Sequence, residues 1–155
     1  DIILMAGTCG ALNAEAGPYW IAQAVQHDYG NAQAGRFTRY RAGDLPVGKA
    51  GPLNFIAEDD FGLGLPHAHI ASGDCFVADG DAATEMAKAL DVQLVDMEVA
   101  AVAQAATQMG KPWAAIKAVS DNANGASGDD FRANLRRAAG QSGAAIEKWI
   151  KLYSK

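Results

Sequence analysis

Short apolar runs alternate along the chain with segments in which apolar residues recur every three or four positions. Short runs bounded by Gly, Asp and Asn are typical of strands, and the periodic segments are typical of amphipathic helices. This alternation predicts an α/β domain. Residues 30–65 are rich in Gly, Pro, Asp and Asn and keep no period, which predicts a long loop region with at most short elements. The predicted strands cover residues 2–6, 19–25, 69–72, 92–95 and 113–119.

Two helices are predicted in the middle of the chain. Asp81 is the predicted N-cap of the first, which covers residues 81–90. The second covers residues 99–109, and Gly110 can take the left-handed position that follows its end. Three apolar side chains of the first helix share one face: Ala82, Met86 and Leu90.

A third helix is predicted near the end of the chain, with Asp129 as its N-cap. Gly140 and Gly143 interrupt its apolar pattern, so we expect a kink or a break there. The apolar residues that recur at near-helical spacing in this segment are Phe131, Leu135, Ile146 and Ile150.

The composition is that of a globular protein. Half of the 155 residues are hydrophobic and a fifth are charged, and a chain of this length can form a single domain with its own core. The net charge is −5, and the Lys and Arg residues are scattered rather than gathered into a basic stripe. We therefore expect no nucleic-acid partner.

The sequence also argues against a membrane or secreted protein. No apolar run approaches the roughly 20 residues that a membrane-spanning helix needs, and no signal peptide precedes the first predicted strand. The two cysteines, Cys9 and Cys75, are far apart in an acidic chain. We expect reduced thiols and a cytoplasmic location.

Polar residues cluster directly after the predicted strands. In open α/β sheets the carboxyl ends of the strands border the ligand crevice, so side chains from several strand ends can meet there. Carboxylates can hold ribose hydroxyls, an aromatic ring can stack on a base, and a second carboxyl group can protonate the base as it leaves. The strand ends concerned are Gly7-Thr8-Cys9-Gly10, Gly73-Asp74-Cys75-Phe76, Asp96-Met97-Glu98 and Ser120-Asp121.

Each of these features also has a purely structural interpretation. A glycine-rich turn after a strand can be a tight exit, Glu98 can favour a helix N-terminus, and Asp121 can be a turn residue. Phe76 and Phe131 can belong to the core. Their coincidence at successive strand ends favours a nucleoside site over four unrelated structural roles.

No metal or cofactor is predicted. His67 and His69 form a His-x-His pair, but no third ligand follows at the spacing that a zinc site needs. The chain also has no Gly-x-Ser-x-Gly motif and no Cys/His pair at the spacing of a nucleophile and its base.

Five segments in order resemble the nucleoside phosphorylase superfamily, and within it the 5′-methylthioadenosine/S-adenosylhomocysteine nucleosidases. Together they extend over nearly the whole chain. The resemblance implies a three-layer α/β/α fold with a central mixed sheet, cleavage of adenosine-type nucleosides, a small-molecule substrate and a homodimer. The segments are Ala-Gly-Thr-Cys-Gly-Ala at 6–11, Gln-His-Asp-Tyr-Gly at 26–30, Ser-Gly-Asp-Cys-Phe-Val at 72–77, Val-Asp-Met-Glu-Val-Ala-Ala-Val-Ala at 95–103 and Ala-Val-Ser-Asp at 118–121.

The resemblance assigns roles to individual positions. Asp121 is the acid that protonates the purine N7, and Glu98 binds the ribose hydroxyls with Met97 against the sugar. Phe76 stacks on the base, whose edge pairs with the Val77 backbone. The remaining predicted contacts line the ribose and the 5′ side of the substrate: Thr8, Cys9, Gly10, Ser120 and Phe131.

Another position indicates whether the nucleophile is water or phosphate. Hexameric purine nucleoside phosphorylases carry a phosphate-binding Arg two residues before the glycine of the first motif, where this chain has Met5. A thioether cannot bind phosphate in this way, so water is favoured. A phosphorylase with a different phosphate site, a relative acting on another purine nucleoside and a non-catalytic nucleoside-binding module remain as alternatives.

The chain departs from the family pattern in two places. The segment 51–72 is shorter than usual, and the first strands of the family and its water-activating glutamate have no counterpart before Gly7. We therefore expect residues 1–155 to form an N-terminally incomplete nucleosidase domain that lacks the base.

Overall fold

The computed structural model describes residues 1–44 and 51–154. Within these ranges, eight strands and three helices follow one another along the chain. They are β1 (Ile3–Ala11), β2 (Pro18–Gln26), β3 (Gly30–Gln33), β4 (Arg36–Arg39), β5 (Asn54–Ile56), β6 (His67–Ser72), α1 (Gly80–Leu90), β7 (Leu94–Asp96), α2 (Val99–Gln108), β8 (Trp113–Asp121) and α3 (Ser127–Tyr153).

Six strands form one mixed sheet in the order β5-β2-β6-β7-β1-β8. Strands β1 and β8, β2 and β6, and β6 and β7 run parallel, whereas β1–β7 and β2–β5 are antiparallel. The first residues of β2 also pair with β8, from Pro18 opposite Ala118 to Trp20 opposite Ile116. The sheet therefore closes on itself along this half of β2, which the sequence patterns do not predict.

Helices cover both faces of the sheet. Along β8, Trp113 and Ala115 pack in the same core cluster as α2, whereas Ala114 and Ile116 pack against Trp149 of α3. Because successive strand residues point to opposite faces, α2 and α3 lie on opposite sides of the sheet. Helix α1 packs on Val25 and Ala71, whose neighbours Ala24 and Ile70 face α2. The predicted three-layer α/β/α fold with a mixed sheet is confirmed.

The prediction that β1 stops at a glycine-rich turn is wrong. Its parallel pairing with β8 continues from Ile3 opposite Trp113 to Gly10 opposite Asp121, with a register shift between Cys9 and Gly10. The glycines serve close packing instead, since a Cβ at Gly10 would lie 3.1 Å from Asp121 Oδ1. Strand β8 likewise runs on to Asp121, past the predicted end at residue 119.

The first helix has a different N-cap from the one predicted. Asp79, rather than Asp81, accepts a hydrogen bond from the Ala82 amide at 2.8 Å. The helix begins at Gly80, so Asp81 lies in its first turn. Ala82 is exposed. Ala83 takes the predicted place of Ala82 on the buried face, beside Met86 and Leu90.

The third helix also differs from its prediction. Its N-cap is Ala126, with Asp129 in the first turn, and it continues without a break through Gly140 and Gly143. Small residues and Trp149 pack on the sheet along its inner face, so tertiary contacts outweigh the low helix propensity of glycine. The buried residues are Ser127, Ala138, Ser142, Ala145 and Trp149, whereas Leu135 and Ile150 are exposed.

The remaining elements agree with the sequence patterns, except that β7 covers Leu94–Asp96 and not the predicted residues 92–95. Gly110 takes a left-handed conformation with φ +62 after α2, and both cysteines are free thiols. The long segment 30–65 contains only β3, β4 and β5, and its residues 45–50 lie outside the described residues. None of the described helices is both long enough and apolar enough to span a bilayer.

Candidate active site

A cavity of about 420 Å³ opens where the last residues of β1 meet the ends of β7 and β8. The segment after β6 and the first turns of α3 complete its wall. All ten residues predicted for the site lie around this one cavity. The lining residues are Thr8, Cys9, Gly10, Cys75, Phe76, Val77, Val95, Asp96, Met97, Glu98, Ser120, Asp121, Gly128, Phe131 and Arg132.

Asp121 is the last residue of β8 and is buried, with 5% of its surface exposed. Its Oδ1 accepts a hydrogen bond from the Ala123 amide at 3.0 Å, and its Oδ2 lies 3.0 Å from the hydroxyl of Ser120. Ser120 Oγ is also 3.2 Å from the Cys9 carbonyl oxygen. These contacts fix the carboxyl group at the cavity wall, and Ser120 orients it rather than facing the solvent.

Lys117 is the main site residue that the sequence patterns do not predict. Its side chain is 2% exposed, and Nζ lies 2.7 Å from Asp96 Oδ2 and 3.2 Å from Glu98 Oε2. Burial alone would lower the pKa of Lys117, but the charge and hydrogen bond of Asp96, together with those of Glu98, raise it. The lysine is therefore a buried cation that holds two carboxylates. A charged residue within the otherwise apolar segment 113–119 is the sequence signal that could have revealed it.

Asp96 and Glu98 have different roles at the start of α2. Asp96 accepts hydrogen bonds from the Val99 amide at 3.2 Å and from the Ser72 hydroxyl at 2.5 Å. Glu98 is the N-cap residue of α2, yet its side chain makes no capping hydrogen bond within the described part of the chain, and it is 57% exposed. Asp96 therefore serves the helix start, which leaves the exposed edge of the Glu98 carboxylate to face the cavity.

Aromatic and apolar side chains form the outer wall. The rings of Phe76 and Phe131 lie 6.2 Å apart between centroids and meet edge to face at 74°. Phe76 is 50% exposed and Met97 is 41% exposed. Because Phe76 is half exposed beside a cavity, the interpretation of this ring as a core residue is wrong. Arg132 follows Phe131 and adds a guanidinium to the rim.

The thiols and histidines offer little reactive chemistry. Burial and the nearby Asp96 carboxylate raise the pKa of the Cys9 thiol, so it stays protonated. His67 Nε2 lies 3.0 Å from Asp60 Oδ2, and His69 Nδ1 lies 3.1 Å from the Asp91 carbonyl oxygen. Within residues 1–44 and 51–154, no three His, Cys, Asp or Glu side chains are grouped closely enough to hold a metal ion.

A family model described as the phosphorylase superfamily matches residues 1–151. The chain belongs to this superfamily. A 5′-methylthioadenosine/S-adenosylhomocysteine nucleosidase of Staphylococcus aureus (strain MRSA252) is 29% identical, over 97% of this chain and 69% of its own length. The family membership agrees with the resemblance of the five sequence segments.

Solved structures of the superfamily share the fold. A 5′-methylthioadenosine/S-adenosylhomocysteine nucleosidase from Neisseria meningitidis, in complex with methylthio-immucillin-A, superposes with a TM-score of 0.79 at 26% identity, covering 97% of this chain and 69% of the other. A futalosine hydrolase mutant of Helicobacter pylori strain 26695 has a TM-score of 0.79 at 23% identity, covering 96% of this chain and 67% of the other. The second likeness shows the common fold alone.

In this member of the phosphorylase superfamily, Met5 packs against the core cluster that contains α2. It lies in the middle of β1, opposite Ala115 of β8, and is not among the residues that line the cavity. Among the described residues, Arg132 is the cationic residue that lines the cavity. Lys117 does not line it but is bound to Asp96 and Glu98, which do.

Proposed function

We propose that this superfamily member hydrolyses the N-glycosidic bond of 5′-methylthioadenosine and S-adenosylhomocysteine, giving adenine and a 5′-substituted ribose. One observation carries the proposal: a single cavity brings together a buried carboxyl group at Asp121, a lysine-held carboxylate at Glu98 and the exposed ring of Phe76. Its volume of about 420 Å³ lies in the range of roughly 300–1,000 Å³ that is usual for small-molecule sites. The name of the Staphylococcus aureus relative supports the choice of substrate.

The reaction needs an acid on the purine side. As the bond between C1′ and N9 breaks, the electron pair moves into the purine and positive charge develops on the sugar. The Asp121 carboxyl group donates a proton to N7, so that adenine leaves as a neutral molecule. The hydrogen bonds from Ala123 and Ser120 hold the carboxyl group in one orientation during this transfer.

The sugar side is served by the carboxylates near Lys117. Glu98 accepts hydrogen bonds from the ribose hydroxyls, and Lys117 holds it in place through Oε2 at 3.2 Å. Asp96 compensates the charge of the buried lysine. The negative charge that remains on this side favours the positive sugar in the transition state.

Water is proposed as the nucleophile rather than phosphate. A phosphate dianion next to Asp96, Glu98 and Asp121 would meet three carboxyl groups, and the position of Met5 offers no cation. Water adds a hydroxyl group to C1′ and loses one proton. The resemblance assigns the uptake of this proton to a glutamate, and each described carboxylate of the cavity already has another partner or role.

The assembly and the location belong to the same proposal. The family resemblance implies a homodimer and a place in methionine salvage, and an acidic chain with only two cysteines favours the cytoplasm. Light scattering of the purified full-length protein tests the dimer, since a monomer at micromolar concentration would contradict it.

Substitution of the acid tests the proposed reaction. Asp121→Asn keeps the shape and the hydrogen bond with Ala123, but its amide cannot transfer a proton to N7. We expect adenine release from 5′-methylthioadenosine by the full-length protein to fall about 10²–10⁴-fold, with adenine binding retained. Asp81→Asn, at an exposed carboxylate in the first turn of α1 that does not line the cavity, is the matched control and should leave the rate unchanged. A near-normal rate for Asp121→Asn would remove this residue from the mechanism.

A further inference from the structure

The wall that carries Phe76 and Val77 is a segment without regular structure. It leaves the sheet after Ser72 and reaches α1 at Gly80, and Asp74, Cys75 and Phe76 within it are exposed. An exposed segment of this kind can hold a purine base in one position only if contacts with other parts of the chain fix its backbone. The residues that fix it lie at the end of the neighbouring strand β2.

Asp28 holds the segment by its backbone. Its Oδ2 accepts a hydrogen bond from the Asp74 amide at 2.6 Å, and its Oδ1 accepts one from Gln26 Nε2 at 3.1 Å. Burial tends to raise the pKa of Asp28, but the hydrogen bonds from Asp74 and Gln26 outweigh it and lower the pKa. Because Asp28 and Asp74 are 46 positions apart, this contact is a tertiary link and not a local turn.

His27 is buried at the end of β2 and contacts the start of the segment. It is 4% exposed; its amide donates to the Ser72 carbonyl at 3.0 Å, and its own carbonyl accepts from Arg39 Nε at 2.9 Å. Burial lowers the pKa of the ring, so it stays neutral. Its Nε2 has no hydrogen-bond partner among the described residues, which makes the role of the ring steric.

The ring and the Asp28 carboxylate leave no room for a side chain at residue 73. A Cβ on Gly73 would lie 2.5 Å from the ring atoms Cε1 and Nε2 of His27, and 2.7 Å from Asp28 Cγ. The Gly73 amide in turn donates to the Asp96 carbonyl at 3.2 Å. The start of the segment is therefore held between the end of β2 and the end of β7.

We propose that His27 and Asp28 form a positioning pair, which fixes the backbone of residues 73–74 and thereby sets the Phe76 ring and the Val77 backbone against the purine. The inference rests on the proposed function, because it assigns the base to this wall. The pair touches neither Asp121 nor Glu98 by a hydrogen bond. It therefore governs base affinity and KM rather than the bond-breaking step.

Two variants of Asp28 and one control test the pair in the full-length protein. Asp28→Ala removes the acceptor, and we expect adenine to bind about 10-fold more weakly and KM to rise by a similar factor, with kcat within about threefold of the wild type. Asp28→Asn keeps an oxygen acceptor without the charge and should recover most of the affinity. Asp60→Ala is the control, since Asp60 accepts from the Gly62 amide at 3.0 Å but does not line the cavity.

Adenine binding by calorimetry and hydrogen exchange of residues 73–77 are the readouts, since neither requires turnover. Faster exchange of residues 73–77 in Asp28→Ala, and not in Asp60→Ala, supports the positioning pair. If the wild type hydrolyses no nucleoside, only the proposed function is overturned, and the exchange result still supports the pair. Unchanged exchange and affinity in Asp28→Ala would overturn the pair. If Asp28→Ala does not fold, Asp28→Asn is judged by hydrogen exchange alone: loss of the charge weakens the bond to the Asp74 amide and should speed exchange of residues 73–77, and exchange equal to that of the wild type would overturn the pair.

Discussion

At the scale of single residues, the site depends on a buried cation that joins two carboxylates. Lys117 lies on β8, four positions before Asp121, and Asp96 and Glu98 flank Met97 after β7. The ion pair with Asp96 is buried on both sides, whereas Glu98 is more than half exposed. The two carboxylates therefore have different energetic roles, and two substitutions separate them.

Lys117→Met should act mainly on stability. The substitution leaves the Asp96 carboxylate buried without its cation, which typically costs about 3–5 kcal/mol of unfolding free energy. Lys117→Arg keeps the charge and should recover part of that loss. Urea unfolding of the three proteins measures the effect, and a Lys117→Met variant as stable as the wild type would contradict the buried ion pair.

Glu98→Gln should act mainly on substrate binding. The side chain makes no capping bond at the start of α2 within the described residues, so we expect the melting temperature to change little. Loss of the charge-assisted hydrogen bonds to the ribose should raise KM for 5′-methylthioadenosine about 10-fold or more. A variant that melts lower yet binds and cleaves the nucleoside normally would favour the helix-dipole interpretation instead.

At the scale of elements, close contact between β1, β7 and β8 sets the position of the acid. Gly10 lies opposite both Val95 and Asp121, at the register shift in β1. A Cβ there would lie 3.1 Å from Asp121 Oδ1 and 3.1 Å from Val95 Cγ1, so something must move by a few tenths of an ångström. The acid is the group that faces the open cavity, so we expect it to move.

Gly10→Ala should therefore lower kcat by about 10-fold or more, because small displacements of a catalytic group are costly. Gly140→Ala is the matched control on α3, where a Cβ would meet open space. It should raise stability by about 0.5–1 kcal/mol and leave kcat unchanged. Steady-state kinetics and thermal melting of both variants check these two outcomes. A kcat of Gly10→Ala equal to that of the wild type would argue against the close contact at Gly10.

The same elements show where sequence reasoning fails. Local apolar runs predict the strands, but β1 and β8 are longer than their runs because pairing between them continues through polar residues to Asp121. The N-cap of α1 is Asp79 and not the predicted Asp81, because the sequence alone does not show which of two acidic residues near a helix start caps the helix. Helix α3 keeps its glycines because the sheet supports them, and that support is a tertiary contact.

At the scale of the whole molecule, the sequence predicts the layered α/β/α fold and ten positions that line one cavity, but it does not predict the closure of the sheet. The fold class depends on the order of periodic segments, and the site depends on motifs that end strands. The pairing of Pro18 with Ala118 and the contact between Gly73 and His27 both join distant parts of the chain. No spacing in one sequence encodes such contacts.

The proposed reaction of the whole protein uses water to release adenine. The most direct test is product analysis after the full-length protein has acted on 5′-methylthioadenosine in saturating inorganic phosphate, by mass spectrometry and phosphorus NMR. Hydrolysis gives adenine and free 5-methylthioribose in equal amounts, and we expect a rate that does not depend on phosphate. A methylthioribose 1-phosphate as the main product, formed only when phosphate is present, would contradict it.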